Sequence, residues 1–213
     1  MARRLAAKIG YRYIDSGAMY RAVTLFALDN GIIAPDGTID RYALDKALPS
    51  IKIDFRPMPD GSQHTLLNGH DVETEIRQLR VSDNVSPVAA IKEVRKALTA
   101  LQRELGQEKG IVMDGRDIGT TVFPEAELKI FVNASAETRA RRRFLEMCEK
   151  GDNVNYEEVL ANVVRRDHID ETREESPLHR ADDAIDLDNS VMTLDEQNDW
   201  LERQYKSALD KLQ

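Results

Sequence analysis

Apolar positions along the chain recur with two periods, and the change from one to the other marks out its elements. Ala2, Leu5, Ala6 and Ile9 fall on one helical face, and Gly10 is placed to end that helix. This helix begins at Met1 without a capping residue or a preceding strand. Tyr11–Ile14 predicts a short strand, and Met19, Val23, Phe26 and Ala27 mark the helix after it, with Asp15 or Ser16 as its cap. Between Ile51 and Val72 the period drops to two. Ile51, Ile53 and Phe55 alternate, Pro57-Met58-Pro59-Asp60-Gly61 breaks the run, and Thr65-Leu66-Leu67 resumes before Asn68-Gly69. These are hairpin signals, and they predict a small insert between about Pro49 and Val88.

Helical spacing then returns. Ala90, Ile91, Val94, Leu98, Leu101 and Leu105 give an amphipathic helix that leads into the apolar run Ile111-Val112-Met113. Leu128–Val132 predicts a further strand. Ser135 caps an arginine-rich helix running to about Lys150, with Glu137 in its first turn, and Gly151 ends it. Asn155 with Glu158 resembles a capping box for a helix carrying Val159, Leu160, Val163 and Val164. Ala184–Leu187 predicts a last strand, and Thr193 with Glu196 opens a final helix that turns Leu201, Tyr205, Ala208, Leu209 and Leu212 inward. Strands alternating with helices predict one parallel α/β sheet with right-handed connections. The stretch Arg165–Arg173 has seven ionisable residues in nine, so it is expected to be mobile and exposed.

Composition narrows the class. A chain of 213 residues, 41% hydrophobic and 32% charged, can bury one substantial core. Its net charge of −8 argues against a general nucleic-acid or anionic-membrane surface. Arginines nevertheless gather in the second half: Arg139, Arg141, Arg142, Arg143, Arg165, Arg166, Arg173 and Arg180. An acidic protein with local arginines suits a small polyanion; solvated helix faces with Glu–Arg pairs account for part of the same pattern. Cys148 stands alone, which excludes an intrachain disulfide, and its place near Phe144 and Met147 predicts a buried, inert thiol. No apolar run approaches membrane-spanning length and no signal peptide is visible, so a cytoplasmic protein is expected.

Chemistry concentrates at Asp114-Gly115-Arg116-Asp117, directly after the strand at Ile111. Ligands of open α/β sheets sit at the carboxyl ends of strands. Two carboxylates and a guanidinium there suit a phosphate- or nucleotide-binding edge. A polar surface turn with an Asp–Arg pair is the plainer reading. Ser16 and Arg21 at a helix start make a second anion-binding place. His64, His70, His168 and His179 lack metal-ligand spacing and are expected in loops. No G-x-S-x-G, HExxH or G-x-G-x-x-G motif occurs, and Gly-Lys occurs nowhere, so the sequence holds no Walker A loop. Arginines from separate segments, interleaved with acids, fit phosphoryl transfer, a reaction that depends on positioning and charge neutralisation.

Asp-Ser-Gly-Ala-Met-Tyr-Arg at 15–21, Val-Met-Asp-Gly-Arg-Asp-Ile-Gly-Thr at 112–120 with Val122-Phe123-Pro124, and Arg-Asp-x-x-Asp-x-x-Arg at 166–173 with Ser176-Pro177-Leu178 together resemble the bacterial cytidylate kinases. Glu75-Ile76-Arg77 and Ser86-Pro87-Val88-Ala89-Ala90 fit the same pattern, and the match is collinear over essentially the whole chain. The resemblance implies a P-loop nucleoside monophosphate kinase-like parallel sheet flanked by helices, with a core at 1–48 and 89–213. It also implies a CMP-binding insert at 49–88 and a short lid at about 150–175. It implies Mg²⁺-dependent transfer of the ATP γ-phosphoryl to CMP or dCMP by a cytoplasmic monomer.

Carried across residue by residue, the resemblance places Ser86, Arg95 and Asp117 on cytosine, and Arg21, Arg116 and Ser16 on the CMP phosphate. Arg166 and Asp170 would hold the ribose, and Arg173 would neutralise the transferring phosphoryl. Asp114 would position Arg116 or a metal-bound water, and Arg142 would lie towards ATP. The family pattern opens with a strand and a Gly-rich loop ending Gly-Lys-Ser/Thr, which this sequence does not contain. One expectation is therefore a complete kinase whose strand and loop lie upstream of Met1; another is a catalytically silent CMP-binding remnant. A kinase acting on another monophosphate, such as UMP, is a third.

Overall fold

The computed structural model describes residues 1–58, 62–149, 151 and 153–212. Helix α1 (Ala2–Ile9) has no side-chain cap at Met1 and stops at Gly10, whose φ of 73° is the left-handed C-cap that the glycine permits. Strand β1 (Arg12–Asp15) runs directly into α2 (Ser16–Asp29). Asp15 is the cap: its Oδ1 accepts the Ala18 N–H at 2.9 Å. Helix α3 (Arg41–Ala47), capped in the same way by Asp40, was not legible from periodicity because it buries only Leu44.

The hairpin signals resolve into β2 (Ile53–Pro57), β3 (Gln63–Leu67) and β4 (His70–Asp71), an antiparallel meander with Ile53 opposite Leu67. Asn68 and Gly69 turn β3 into β4 with φ of 51° and 84°. The expected break after Pro57 extends over residues 59–61, which lie outside the described residues. Two helices follow, α4 (Leu79–Ala89) and α5 (Lys92–Leu105), then β5 (Ile111–Asp114) and a single π-type turn, Ile118–Val122. The second half comprises β6 (Ile130–Asn133), α6 (Ala136–Glu149), α7 (Tyr156–Thr172), β7 (Ile185–Asp188) and α8 (Leu194–Leu212). Three caps form in this half. Ser135 Oγ accepts from Thr138 at 3.2 Å, and Thr193 and Glu196 cap reciprocally at 2.8 and 3.2 Å. Asn155 Oδ1 accepts from Glu157 at 2.7 Å as a simple cap, without the reciprocal Glu158 bond of the expected box among the described residues.

Strand pairing departs from the single sheet expected. Among the described residues, β1 pairs with β5 and β6 with β7, both parallel, and no ladder joins β5 to β6. Each of these four strands keeps one edge without a strand partner, and alternation of strand and helix along the chain does not by itself specify which edges meet.

Packing shows how the insert relates to the rest. Ile53, Phe55 and Leu67 of the hairpin share one core cluster with Ile14, the inner face of α2, Ile76, Val81 and Val94. Helices α6 and α7 have a separate, smaller cluster of Ala140, Val159 and Val163, flanked by Phe144 and Met147. Cys148, expected buried beside them, is exposed, because one step along the helix from Met147 rotates it by about 100° out of the apolar stripe. The stretch 165–173 is also corrected. It continues α7 to Thr172, and Asp170 and Arg173 are buried, because they neutralise one another. His64, His70 and His168, expected in loops, lie in β3, β4 and α7.

Candidate functional site

Strands β1 and β5 end level with each other, which brings Asp15 and Asp114 side by side. Asp15 spends its second oxygen on Arg77 Nη2 at 2.9 Å. Asp114 receives the Tyr13 hydroxyl on Oδ2 at 2.8 Å, and its main-chain oxygen accepts from Ser16 Oγ at 2.7 Å. Gly115 is required here, since a Cβ would overlap Ser16 Oγ and crowd Ile118. Desolvation, and then the neighbouring Asp15 charge, push the Asp114 carboxyl up to about 6. The Tyr13 hydroxyl is also pushed up, first by burial and then by the two carboxylates. Burial opposes the charge on Arg77, but Asp15 and Glu73 outweigh it and hold this guanidinium above its usual range. A cleft of about 140 Å³ opens beside the acids, between Tyr13, Asp15, Gln63, Thr65 and Arg77.

A cluster of cations with few counter-charges adjoins these strand ends. Arg21 Nη1 donates to Ser82 Oγ at 2.9 Å and to the Ile76 carbonyl at 3.3 Å. Arg166 Nε donates to Ser86 Oγ at 3.2 Å. Ser82 and Ser86 are one turn apart on α4, so a single helix face receives arginines from α2 and α7. Neither Arg21 nor Arg166 has an ion-pair partner among the described residues. Both are pushed down to about 10, by desolvation first and then by other guanidiniums: Arg166, Arg77 and Arg143 for Arg21, and Arg143 and Arg116 for Arg166. Half-buried cations that depress one another form a site for an anion.

Beneath the arginines lies a buried ionic network. Arg95, 2% exposed, pairs with Asp117 through Nη2, donates Nη1 to the Ala89 carbonyl at 3.1 Å, and lies 5.4 Å from the centre of the Tyr20 ring. Burial pushes the Tyr20 hydroxyl up to about 12. Arg173 donates to Asp170 at 3.0 Å and to the Ser176 carbonyl at 2.9 Å, and its Nη2 stands 3.9 Å from Asp117. Arg116 reaches the other Asp170 oxygen at 3.1 Å. Arg95 Nε and Arg173 Nη2 are buried without a hydrogen-bond acceptor among the described residues. Such donors are costly unless a ligand supplies acceptors.

The family's cytidylate kinase sequence profile matches residues 1–206. The chain belongs to the cytidylate kinase family. It is 57% identical over 210 residues to a cytidylate kinase of Bacteroides fragilis, covering 98% of this chain and 91% of that protein. The corresponding figures are 55% over 206 residues, 96% and 90% for a cytidylate kinase of Bacteroides thetaiotaomicron. For one of Porphyromonas gingivalis they are 50% over 210 residues, 98% and 90%. Cytidylate kinases are phosphotransferases, and the parallel strand pairs flanked by helices agree with a nucleoside monophosphate kinase fold.

Against this cytidylate kinase framework, ten of the eleven residues expected at the site meet in three contact groups. Ser16 joins Asp114; Arg116, Asp170, Arg173, Asp117 and Arg95 form the ionic network; and Arg21 and Arg166 converge on α4 with Ser86. Arg142 stands apart. It donates to Asn189 Oδ1 at 3.0 Å and to the Asn189 carbonyl at 2.6 Å, beyond the end of β7. Tyr13, Asp15, Arg77, Ser82 and Arg143 also take part, none of them expected at the site. Asp15 was expected only as a helix cap, Arg77 only in the Glu75-Ile76-Arg77 pattern and Arg143 only among the clustered arginines, while Tyr13 and Ser82 carried no chemical signal. No group of three or more His, Cys, Asp or Glu among the described residues could hold a metal ion, and no described helix is long and apolar enough to cross a membrane.

Proposed function

We propose that this chain serves transfer of the ATP γ-phosphoryl to CMP or dCMP, giving CDP or dCDP. The observation that carries this reading is the convergence of Arg21 and Arg166, unneutralised, on α4 beside the buried Arg95–Asp117 pair. An anion and a base with both donor and acceptor edges would satisfy the two parts together. Cytosine accepts at O2 and N3 and donates from N4, so Arg95 would donate to the ring and Asp117 would accept the amino group, with Ser86 beside them. Arg166 and Asp170 would hold the ribose. Arg21 and Arg116, with the Ser16 hydroxyl, would fix the acceptor phosphate for in-line attack. Arg173 would face the transferring group, and Asp114 would hold Arg116 or a metal-bound water. Arg142 is assigned to the ATP side.

Mg²⁺ is the metal this reading implies. It is commonly bound through one or two carboxylates, with water and substrate phosphates completing its shell. Asp114, exposed at the strand end, suits a contact through water. An ion held there with ATP would supply neutralisation of the phosphate charge. Residues 49–88 would form the CMP-binding insert, tied to the strand ends by Arg77 on Asp15 and by Gln63 on the Tyr13 carbonyl at 2.7 Å. Residues 150–175 would form the lid, and 1–48 with 89–213 the core. A net charge of −8 supports a small polyanionic ligand over nucleic acid, and the enzyme is taken to be a cytoplasmic monomer.

The phosphate donor needs a cradle of backbone amides and a lysine, and the sequence contains no GxxxxGK[ST]. We place that cradle in a strand–loop–helix segment upstream of Met1, its strand lying against the unpartnered edges of β5 and β6. A coupled assay with ATP, Mg²⁺ and CMP tests both parts of the proposal, run on the 213-residue chain and on a version extended upstream. CDP formation only by the extended protein is expected. CDP formation by both would refute the donor-site proposal, and folded but inactive protein in both would refute the kinase reading.

A further inference from the structure

Asp117 begins an uncommon piece of backbone. Its carbonyl accepts the N–H groups of Thr121 at 2.8 Å and Val122 at 3.3 Å, and the Phe123 N–H reaches the Ile118 carbonyl at 2.7 Å. This is π-type bonding, which is rare and frequently occurs at functional sites. The last two carbonyls of the turn go to one side chain. Arg103 donates Nη2 to Thr121 at 2.6 Å and Nε to Val122 at 3.2 Å.

Arg103 lies on α5, eight residues beyond Arg95 and about 80° round the helix from it, exposed where Arg95 is buried. One rigid element thus holds the Asp117 carboxylate through Arg95 and the far end of the Asp117 turn through Arg103. The end of α5 also lies hard against this segment, since a Cβ on Gly106 would overlap the Phe123 ring. Any shift of the turn along α5 would carry Asp117 away from Arg95.

We propose that Arg103 is a positioning residue for base recognition: by clamping the π turn it keeps Asp117 in register with Arg95 and so sets the preference for cytosine over uracil. This rests on the reading that Arg95 and Asp117 face the base. Arg103 itself touches no substrate. Asp117 accepts the amino group that distinguishes cytosine from uracil, so a displaced carboxylate costs CMP affinity and leaves UMP affinity nearly unchanged.

Calorimetric titration of CMP and UMP into the native chain and into Arg103→Met, Arg103→Lys and Arg95→Met tests the proposal, with thermal melts alongside. The CMP-to-UMP affinity ratio is expected to fall about tenfold in Arg103→Met, the scale of one weakened charge-assisted contact. Partial recovery is expected in Arg103→Lys, which keeps a donor. A lowered melting temperature with an unchanged ratio would make Arg103 merely structural and overturn the proposal. If Arg103→Met does not fold, an unchanged ratio in Arg103→Lys overturns it. Loss of the ratio in Arg95→Met alone defeats the role of Arg103 and leaves the base reading standing. A ratio untouched by Arg95→Met, or no CMP binding by the native chain, defeats both.

Discussion

Asp15 and Asp114 are register partners, the last pair of the parallel ladder between β1 and β5. Asp15 is compensated by Arg77 and the Ala18 amide, whereas Asp114 has the Tyr13 hydroxyl. Desolvation first, and then the adjacent Asp15 charge, make the Asp114 carboxyl hold its proton to about 6. A carbon-detected NMR titration of Asp114 is expected to give that midpoint, and Tyr13→Phe to raise it, because the lost hydrogen bond favoured the carboxylate. The native state binds this proton more tightly than the unfolded chain. Its contribution to stability is therefore full below the ordinary carboxyl range and is lost as pH rises through about 6. Asp114 is exposed as a residue, so the effect on stability is small and the midpoint is the readout. A midpoint near 4 would contradict the coupling.

Removing one member of the Arg95–Asp117 pair leaves a charge in a nearly dry site. Asp117→Ala is expected to destabilise the chain by about 3–5 kcal/mol in urea unfolding. A doubly apolar Arg95→Met, Asp117→Leu variant should recover much of that loss while failing to bind CMP. Equal destabilisation in the single and double variants would show that packing, not charge, holds the site.

The arginines over α4 repel one another without a ligand. Inorganic phosphate is expected to raise the melting temperature of the native chain, as any ligand specific to the folded state does. Arg21→Gln should remove that response and leave the ligand-free melting temperature unchanged or higher. A phosphate response that persists in Arg21→Gln would place the anion elsewhere.

Gly115→Ala would drive Ser16 Oγ off the Asp114 carbonyl. A loss of about 1–3 kcal/mol is expected, the usual cost of overpacking. Adding Ser16→Ala should relieve part of it, since the hydroxyl is the nearest obstacle. Simple additivity in the double-mutant cycle would rule out this clash.

Much of the candidate site was legible because its residues sit in local motifs. Ser16 and Arg21 follow a strand and a cap, and Arg116 and Asp117 follow a strand end. Ser82 and Arg77 were harder to see, since their importance lies in Arg21 and Asp15, 61 and 62 residues away in the chain. Arg142 shows the limit from the other side. Its position on an arginine-rich helix was readable, but its partners on Asn189 depend on how α6 meets the end of β7.

What the sequence determined by itself is the set of elements whose hydrogen bonds close within a few residues: the Asp15 cap, the Asn68–Gly69 turn, and the Thr193–Glu196 box. What only the tertiary structure decided is which charges neutralise which. Read along the chain, 165–173 was a charged stretch that belonged in water. Arg116, 54 residues from Asp170, shares that carboxylate with Arg173, and the mutual neutralisation lets Asp170 and Arg173 be buried. The solvation penalty of a charge is set by its neighbours in space, and an amino-acid sequence names only its neighbours along the chain.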